Sequence, residues 1–264
     1  MKFKDNVVLV VGSATGMGEA TVRKLLSEGA HVIAFDLRED ALEELGEDIK
    51  DEPGTFEPYV GDVNDAEKRK GAIAFIKGKY GRLDTLAYVA GTLDLMTPLH
   101  LCDDELWDYV MDVNVNSTFR MVREALPLLL DHEDKTANIV IVGSVGGIYG
   151  ATAGAAYITS KHAVLGLMKN IAWTYKDRNL RVNAVNPGSV ATSILENAML
   201  RWPDRSPMHP EGNEPFVTKG AVSLGLGIMG DAEDIADAIC FLISDEAKFI
   251  CGAELTVDGG WTSF

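Results

Sequence analysis

The first thirty residues leave the chain little freedom. Val7-Val8-Leu9-Val10-Val11 is an unbroken apolar run of strand length, as in a strand covered on both faces. Gly12-Ser13-Ala14-Thr15-Gly16-Met17-Gly18 follows at once. Glu19 to Glu28 then carries a helical pattern, with Leu25 and Leu26 inward and Gly29 as its stop. A strand that ends in a glycine-rich turn and restarts as a helix presents backbone amides at a helix N-terminus, where a pyrophosphate is stabilised. The spacing is G-x-x-x-G-x-G rather than G-x-G-x-x-G, and a plain strand-to-helix turn is the competing explanation for such a loop taken alone.

The same alternation runs through the chain. Strand-like segments recur at His31–Phe35, Phe56–Val60, Leu83–Val89, Ile139–Val142, Leu180–Asn186 and Ala253–Val257. Helical patterns separate them: Arg38 to Gly46, Asp65 to Tyr80, Glu105 to Leu130, Ala156 to Lys176 and Ala232 to Ile243. This predicts an α/β fold, a single doubly wound Rossmann domain over residues 1–264, with a parallel sheet of about seven strands and helices on both faces. Periodicity fails from about 189 to 222, where Met199, Trp202, Met208 and Phe216 stand among Pro203, Pro207, Pro210 and Pro215. An insert of that kind in a compact domain reads as a substrate-binding lid.

Composition bounds the partners. A chain of 264 residues, 47% of them hydrophobic, can bury one large core. No apolar run reaches transmembrane length, and Met1-Lys2-Phe3-Lys4-Asp5 runs into the first strand as expected without a signal peptide. The net charge of −16 makes nucleic acid and anionic membranes poor partners. Cys102, Cys240 and Cys251 are too scattered for a disulfide framework or a metal site. A cytoplasmic protein with idle thiols and no metal is expected.

The chemistry concentrates between Ser144 and Lys161. Ser144 closes the fifth strand, and Tyr157 and Lys161 stand at i and i+4 on the following helix, as neighbours on one face. A lysine beside a tyrosine favours the phenolate, and a phenol so lowered can serve as general base toward an alcohol. Ser144 is placed to hold the same alcohol oxygen. Asp36 ends the second strand about where this fold puts the acid that bonds the adenosine ribose. A carboxylate there repels a 2′-phosphate, which argues for NAD over NADP. Arg38 is the complication, and an N-cap role for Asp36 the plainer alternative. Asp62 either caps a helix or accepts from an adenine amine. Asn114 stands inside a helical pattern although asparagine is slightly unfavourable there.

Together these residues resemble the short-chain dehydrogenase/reductase family over nearly the whole chain. Gly12, Gly16 and Gly18 match its glycine motif, Asp62 its adenine-side acid, and Pro187-Gly188 with Thr192 its nicotinamide side. Asn114, Ser144, Tyr157 and Lys161 match its catalytic tetrad. The resemblance implies a nicotinamide cofactor lying along Gly12, Ser13, Thr15, Gly16, Met17, Gly18, Asp36, Leu37, Asp62, Val63, Ala90, Gly91, Tyr157, Lys161, Pro187, Gly188, Val190 and Thr192. It also implies a water anchored by Asn114. Tyr88-Val89 stands where Asn-Asn is usual, with apolar packing expected to replace that brace. Val11 stands for the usual Thr, and Gly143 for the usual hydroxyl.

The function expected is an NAD-dependent interconversion of a secondary alcohol and a ketone. Ser144, Tyr157, Met96, Met199 and Trp202 are the expected substrate contacts. A sterol-like or bile-acid-like hydroxysteroid leads, because methionines and aromatics suit a bulky apolar ligand. Arg201, Arg205 and Lys219 are candidates to meet an acidic tail on it. A 3-oxoacyl-[acyl-carrier-protein] reductase, a sugar or polyol dehydrogenase, and more remotely a non-catalytic dinucleotide sensor are the alternatives. The two long helices, with Tyr175 and the apolar residues from Leu165 to Trp173, are expected to make a homotetramer.

Overall fold

The computed structural model describes residues 1–131, 135–151, 153–206, 208–212 and 229–263. Its strands are β1 (Val7–Val11), β2 (His31–Asp36), β3 (Thr55–Val60), β4 (Thr85–Tyr88), β5 (Ala137–Val142), β6 (Leu180–Pro187) and β7 (Glu254–Val257). The helices among the described residues are α1 (Gly16–Ser27), α2 (Glu39–Asp48), α3 (Ala66–Tyr80), α4 (Asp104–Met111), α5 (Ser117–Leu129), α6 (Ala155–Tyr175), α7 (Ile194–Arg201) and α8 (Ala232–Ile243). All seven strands lie parallel in one sheet, in the order β3-β2-β1-β4-β5-β6-β7. The chain steps outward from β1 to β3 and then returns to β4 on the other side of β1. Its direction therefore reverses between β1 and β4, which is where such sheets open a ligand crevice at their carboxyl ends.

The continuous apolar runs divide by alternation, because successive side chains leave a strand on opposite faces. Leu9, Val11, Ile33, Phe35, Leu86 and Ile139 join one core with residues of α3, α5 and α6. Val8, Val10, Val32, Ala34, Ala87 and Val140 join the other with α1, α2 and α8. The five inner strands are thus buried on both faces, while the edge strands β3 and β7 are only partly covered. Helix starts follow local chemistry: Asp65 caps α3 through the amides of Glu67 and Lys68, and Asp103 caps α4 through Leu106. Asp62 is not that cap; its Oδ1 accepts from Asn64 N.

Four expectations change. The helix expected from Glu105 to Leu130 is α4 and α5 joined by a π-helical turn, Asp112–Asn116. The lid is not without structure, since α7 lies inside it; Pro207, Pro215, Phe216 and Lys219 fall outside the described residues. Tyr88 does more than pack. Its hydroxyl meets Ser117 Oγ, and Ser117 Oγ donates to Val113 O within the π turn, so a hydrogen-bonded brace crosses from β4 to that turn. Finally, Leu165, Met168, Ile171 and Ala172 face the chain's own core, with Tyr175 against it. Of that set, Trp173 projects outward, 73% exposed.

Candidate active site

The cleft at the switch point holds about 420 Å³ and is lined by the glycine turn, the ends of β2 and β4, Asp62 to Asn64, and α7. Gly12 sits at φ +80, and a Cβ there would lie 2.6 Å from the Ala90 backbone. At Gly18 a Cβ would lie 1.8 Å from Gly12 O. Only glycine lets the turn close this tightly. Thr15, the N-cap of α1, gives no side-chain hydrogen bond to the helix, so the first-turn amides are presented to the cleft for an anion. Thr15 Oγ1 instead meets Ser193 Oγ at 3.2 Å, tying the turn to the start of α7.

Of the expected cofactor residues, Gly12, Thr15, Gly16, Met17, Gly18, Asp36, Leu37, Asp62, Val63, Ala90, Gly91 and Thr192 line this cleft. Ser13 does not; it is wholly buried and its hydroxyl has no partner. Pro187 closes β6, Gly188 N bonds Val257 O, and Val190 pairs with Gly230; none of the three is on the cleft wall. The Asp36 carboxylate is fixed by two amides, Ala14 N at 2.9 Å and Arg38 N at 3.0 Å. It does not cap α2, whose N-cap is Arg38. The wall also includes residues that sequence reasoning missed: Asn64, Thr92, Tyr109, Ser193, Asn197 and Leu200. They come from elements far apart in sequence, and no local pattern marks them.

Ser144, Tyr157 and Lys161 gather at the carboxyl ends of β4 and β5, all under 10% exposed. The Lys161 ammonium donates to Val142 O at 3.1 Å and stands 5.6 Å from the centre of the Tyr157 ring. Burial holds Lys161 down to about 8. Burial also pushes Tyr157 up to about 12; the hydrogen bond with Ser144 works against that rise and the charge of Asp94 adds to it. The expectation that the lysine keeps Tyr157 below its ordinary value is therefore corrected. Loss of solvent is the dominant influence on Tyr157.

Asn114 explains the π turn. Its Oδ1 accepts from Thr92 N at 2.8 Å, and its Nδ2 donates to Thr92 O at 3.0 Å and Ser160 Oγ at 2.9 Å. The side chain thus pairs with the backbone of the loop that follows β4, and the helix takes an extra residue to reach it. Ser160 Oγ in turn donates to Tyr157 O. A Cβ on Gly91 would come within 3.3 Å of Asn114 Oδ1 and 3.4 Å of Lys161 Nζ, so the glycine lets the backbone pass close to both groups.

The lid residues separate. Met199 is 40% exposed on α7. Trp202 is buried with Leu95, Leu106, Val110 and Ala198, edge-on to Tyr109, rather than on the cleft wall. Arg201 and Arg205 both stand over its ring, and Arg205 is paired with Asp103, so neither is uncommitted. Met96 is half-buried at φ 55.

The comparisons agree with this geometry. Residues 12–262 match the family model described as Enoyl-(Acyl carrier protein) reductase. The chain is 34% identical to the 3-oxoacyl-[acyl-carrier-protein] reductase FabG of Thermotoga maritima, over 98% of this chain and 99% of that one. It is 32% identical to 3beta-hydroxysteroid dehydrogenase 2 of Eggerthella lenta, over 97% and 94%. The crystal structure of levodione reductase superposes with a TM-score of 0.85 at 28% identity, covering 99% of both chains. The chain belongs to the short-chain dehydrogenase/reductase family. Members of that family are oxidoreductases that use a nicotinamide dinucleotide, NAD or NADP. No helix among the described residues is long and apolar enough to cross a membrane.

Proposed function

We propose that this chain is an NAD-dependent dehydrogenase of secondary alcohols, with a bulky apolar alcohol of the hydroxysteroid kind as its substrate. The observation that carries the cofactor choice is Asp36: its carboxylate is held on the cleft wall by two backbone amides, where it would accept from a ribose 2′-hydroxyl and repel a 2′-phosphate. Gly12, Gly16 and Gly18 would seat the pyrophosphate, and Thr192 the nicotinamide side. When bound, the oxidised ring supplies a hydride acceptor and a positive charge. Tyr157 takes the hydroxyl proton at its phenolic oxygen, and Ser144 Oγ holds the alcohol oxygen. Lys161 keeps a cation beside the phenol. The family resemblance would have Asn114 anchor a water through which a proton leaves the tyrosine; Asn114 Oδ1 and Lys161 Nζ both lie close to Gly91.

The substrate class rests on the similarity to 3beta-hydroxysteroid dehydrogenase 2, with Ile194 and Leu200 of α7 supplying apolar surface on the cleft wall and Met199 exposed beside them. The FabG-type relative supports a second reading, reduction of a 3-oxoacyl carrier-protein ester. The net charge of −16 disfavours an acidic carrier as partner. The test is a screen of purified protein against hydroxysteroids, aliphatic secondary alcohols and polyols, with NAD+ and NADP+ in parallel, and against a 3-oxoacyl thioester with NADH and NADPH. Higher kcat/KM with NADP+ than with NAD+ would sink the reading of Asp36. Turnover of the thioester alone would replace the substrate assignment.

A further inference from the structure

The Tyr157 backbone is held from two sides, and only one of them is backed by another tetrad residue. Its carbonyl receives Ser160, which Asn114 supports. Its amide donates to Asp94 Oδ2 at 2.9 Å. Asp94 lies in the loop after β4 and has no exposed surface. Its other oxygen accepts from Gly154 N at 3.0 Å and Met96 N at 3.2 Å. Gly154 is the N-cap of α6, and Tyr157 is in that helix's first turn. A carboxylate from a distant loop thus satisfies two of the amides at the start of the helix that carries Tyr157 and Lys161.

The surrounding structure is built around that contact. A Cβ at Gly154 would lie 2.5 Å from Thr97 O and 2.6 Å from Asp94 Oδ2, so no larger residue lets the loop come this close. Leu95 and Met96 both take left-handed backbone, φ 56 and φ 55, which residues with side chains rarely adopt. The same loop receives the lid: His209 N bonds Leu95 O at 3.1 Å, and Gly212 lies so near that a Cβ on it would overlap Met96 O. Asp94 is the point where lid, loop and reacting helix meet.

We propose that Asp94 is a positioning residue, which pins the first turn of α6 through the amide of Tyr157 and so sets where the phenol stands and what charge it faces. The charged groups that face Tyr157 are Asp94 from the loop and Lys161 from its own helix; Ser144 at the end of β5 is neutral. Burial raises Asp94 above its ordinary value, and the backbone amides that donate to it, Tyr157 foremost, oppose that rise. A negative charge beside the phenol works against the phenolate, so its removal favours ionisation. In Asp94→Asn one face of the amide becomes a donor, which opposes the N–H groups it meets.

This role rests on Tyr157 being the proton acceptor. The test uses full-length Asp94→Asn, titrated by tyrosinate ultraviolet absorbance with saturating NAD+, with Tyr157→Phe as the reference that lacks the residue's own signal. The expected result is that the Tyr157 step moves to lower pH. On a secondary alcohol that the parent protein oxidises, kcat falls by about ten- to hundred-fold while KM for NAD+ stays within about twofold, as for misplacement of one reacting group. Asp94→Glu, which restores the charge, returns the titration step toward that of the parent. A parental titration step and kcat in folded Asp94→Asn overturns the proposal. Should Asp94→Asn not fold, Gly154→Ala, which drives the loop from the helix, is expected to give the same split between kcat and KM, and a parental kcat there overturns it. An active Tyr157→Phe refutes the proton-acceptor reading instead, so the two failures are distinguishable.

Discussion

Lys161→Met exchanges a buried ammonium for an unbranched apolar side chain, and its effect on stability has a definite pH signature. The lysine is 4% exposed, and burial lowers it from 10.5 to about 8. At 1.36 kcal/mol per unit, that difference is worth roughly 3 kcal/mol. The folded form binds the proton more weakly than the unfolded form. The folded state therefore carries the whole penalty below about pH 8, sheds it between about 8 and 10.5, and is free of it above. The variant never carries it, but leaves Val142 O without its 3.1 Å donor, a loss of about 1–3 kcal/mol for a buried acceptor. At neutral pH the two terms leave Lys161→Met equal to the parent or more stable by up to about 2 kcal/mol. Toward pH 10.5 the parent gains roughly 3 kcal/mol on the variant and overtakes it. Urea unfolding without added nucleotide, at fixed protein concentration across this pH range, reads the difference. Groups remote from Lys161, such as the buried Tyr88 at about 12, shift both proteins alike and cancel. A difference between the two that does not change with pH would refute the reasoning, because only a desolvated, titrating lysine produces the slope. Turnover of the variant should be lost at every pH.

Three further outcomes follow from the geometry. Tyr157→Phe keeps the ring and loses the proton acceptor, so turnover should fall by about 10²–10⁴-fold with NADH affinity, read by fluorescence, nearly unchanged. Tyr88→Phe removes the donor of the Tyr88–Ser117–Val113 brace; it should cost about 1 kcal/mol and lower Tm by a few degrees, read by calorimetry, whereas an unchanged Tm would show that packing alone braces β4. The exposed Trp173 on α6 and Phe119 on α5 should lie in contacts between copies of a homotetramer, so Trp173→Glu should shift sedimentation of the assembly toward smaller species; a parent protein that sediments as a monomer would remove the basis for this.

The parts of this molecule that were legible in the sequence are those fixed by short-range rules. Val7–Val11 could only be a strand buried on both faces, and the glycine turn after it could only close tightly. Helix starts were legible to within a turn: Asp62 offered itself as the cap of α3, and Asp65, three residues on, fills that place. Tyr157 and Lys161 share a helix face by their spacing alone. What was not legible depends on separation in sequence or on a balance of opposed terms. The π turn exists because Asn114 bonds the backbone of Thr92, on a different element. Trp202 read as a substrate contact because it stands in an aperiodic, proline-rich stretch; a partner for it, Tyr109, lies on α4, and together they make a small core of the lid. Asp94 read as one acid among 40, since nothing local says that its carboxylate ends at the amides of Gly154 and Tyr157. The tyrosine shows the second kind of failure. Spacing fixes the sign of the lysine's influence on it, but the outcome depends on how much water both groups lose, and burial reverses it. A site so dry holds Tyr157 protonated through its own groups, and if Tyr157 is the proton acceptor, the positive charge of a bound oxidised nicotinamide would favour its phenolate.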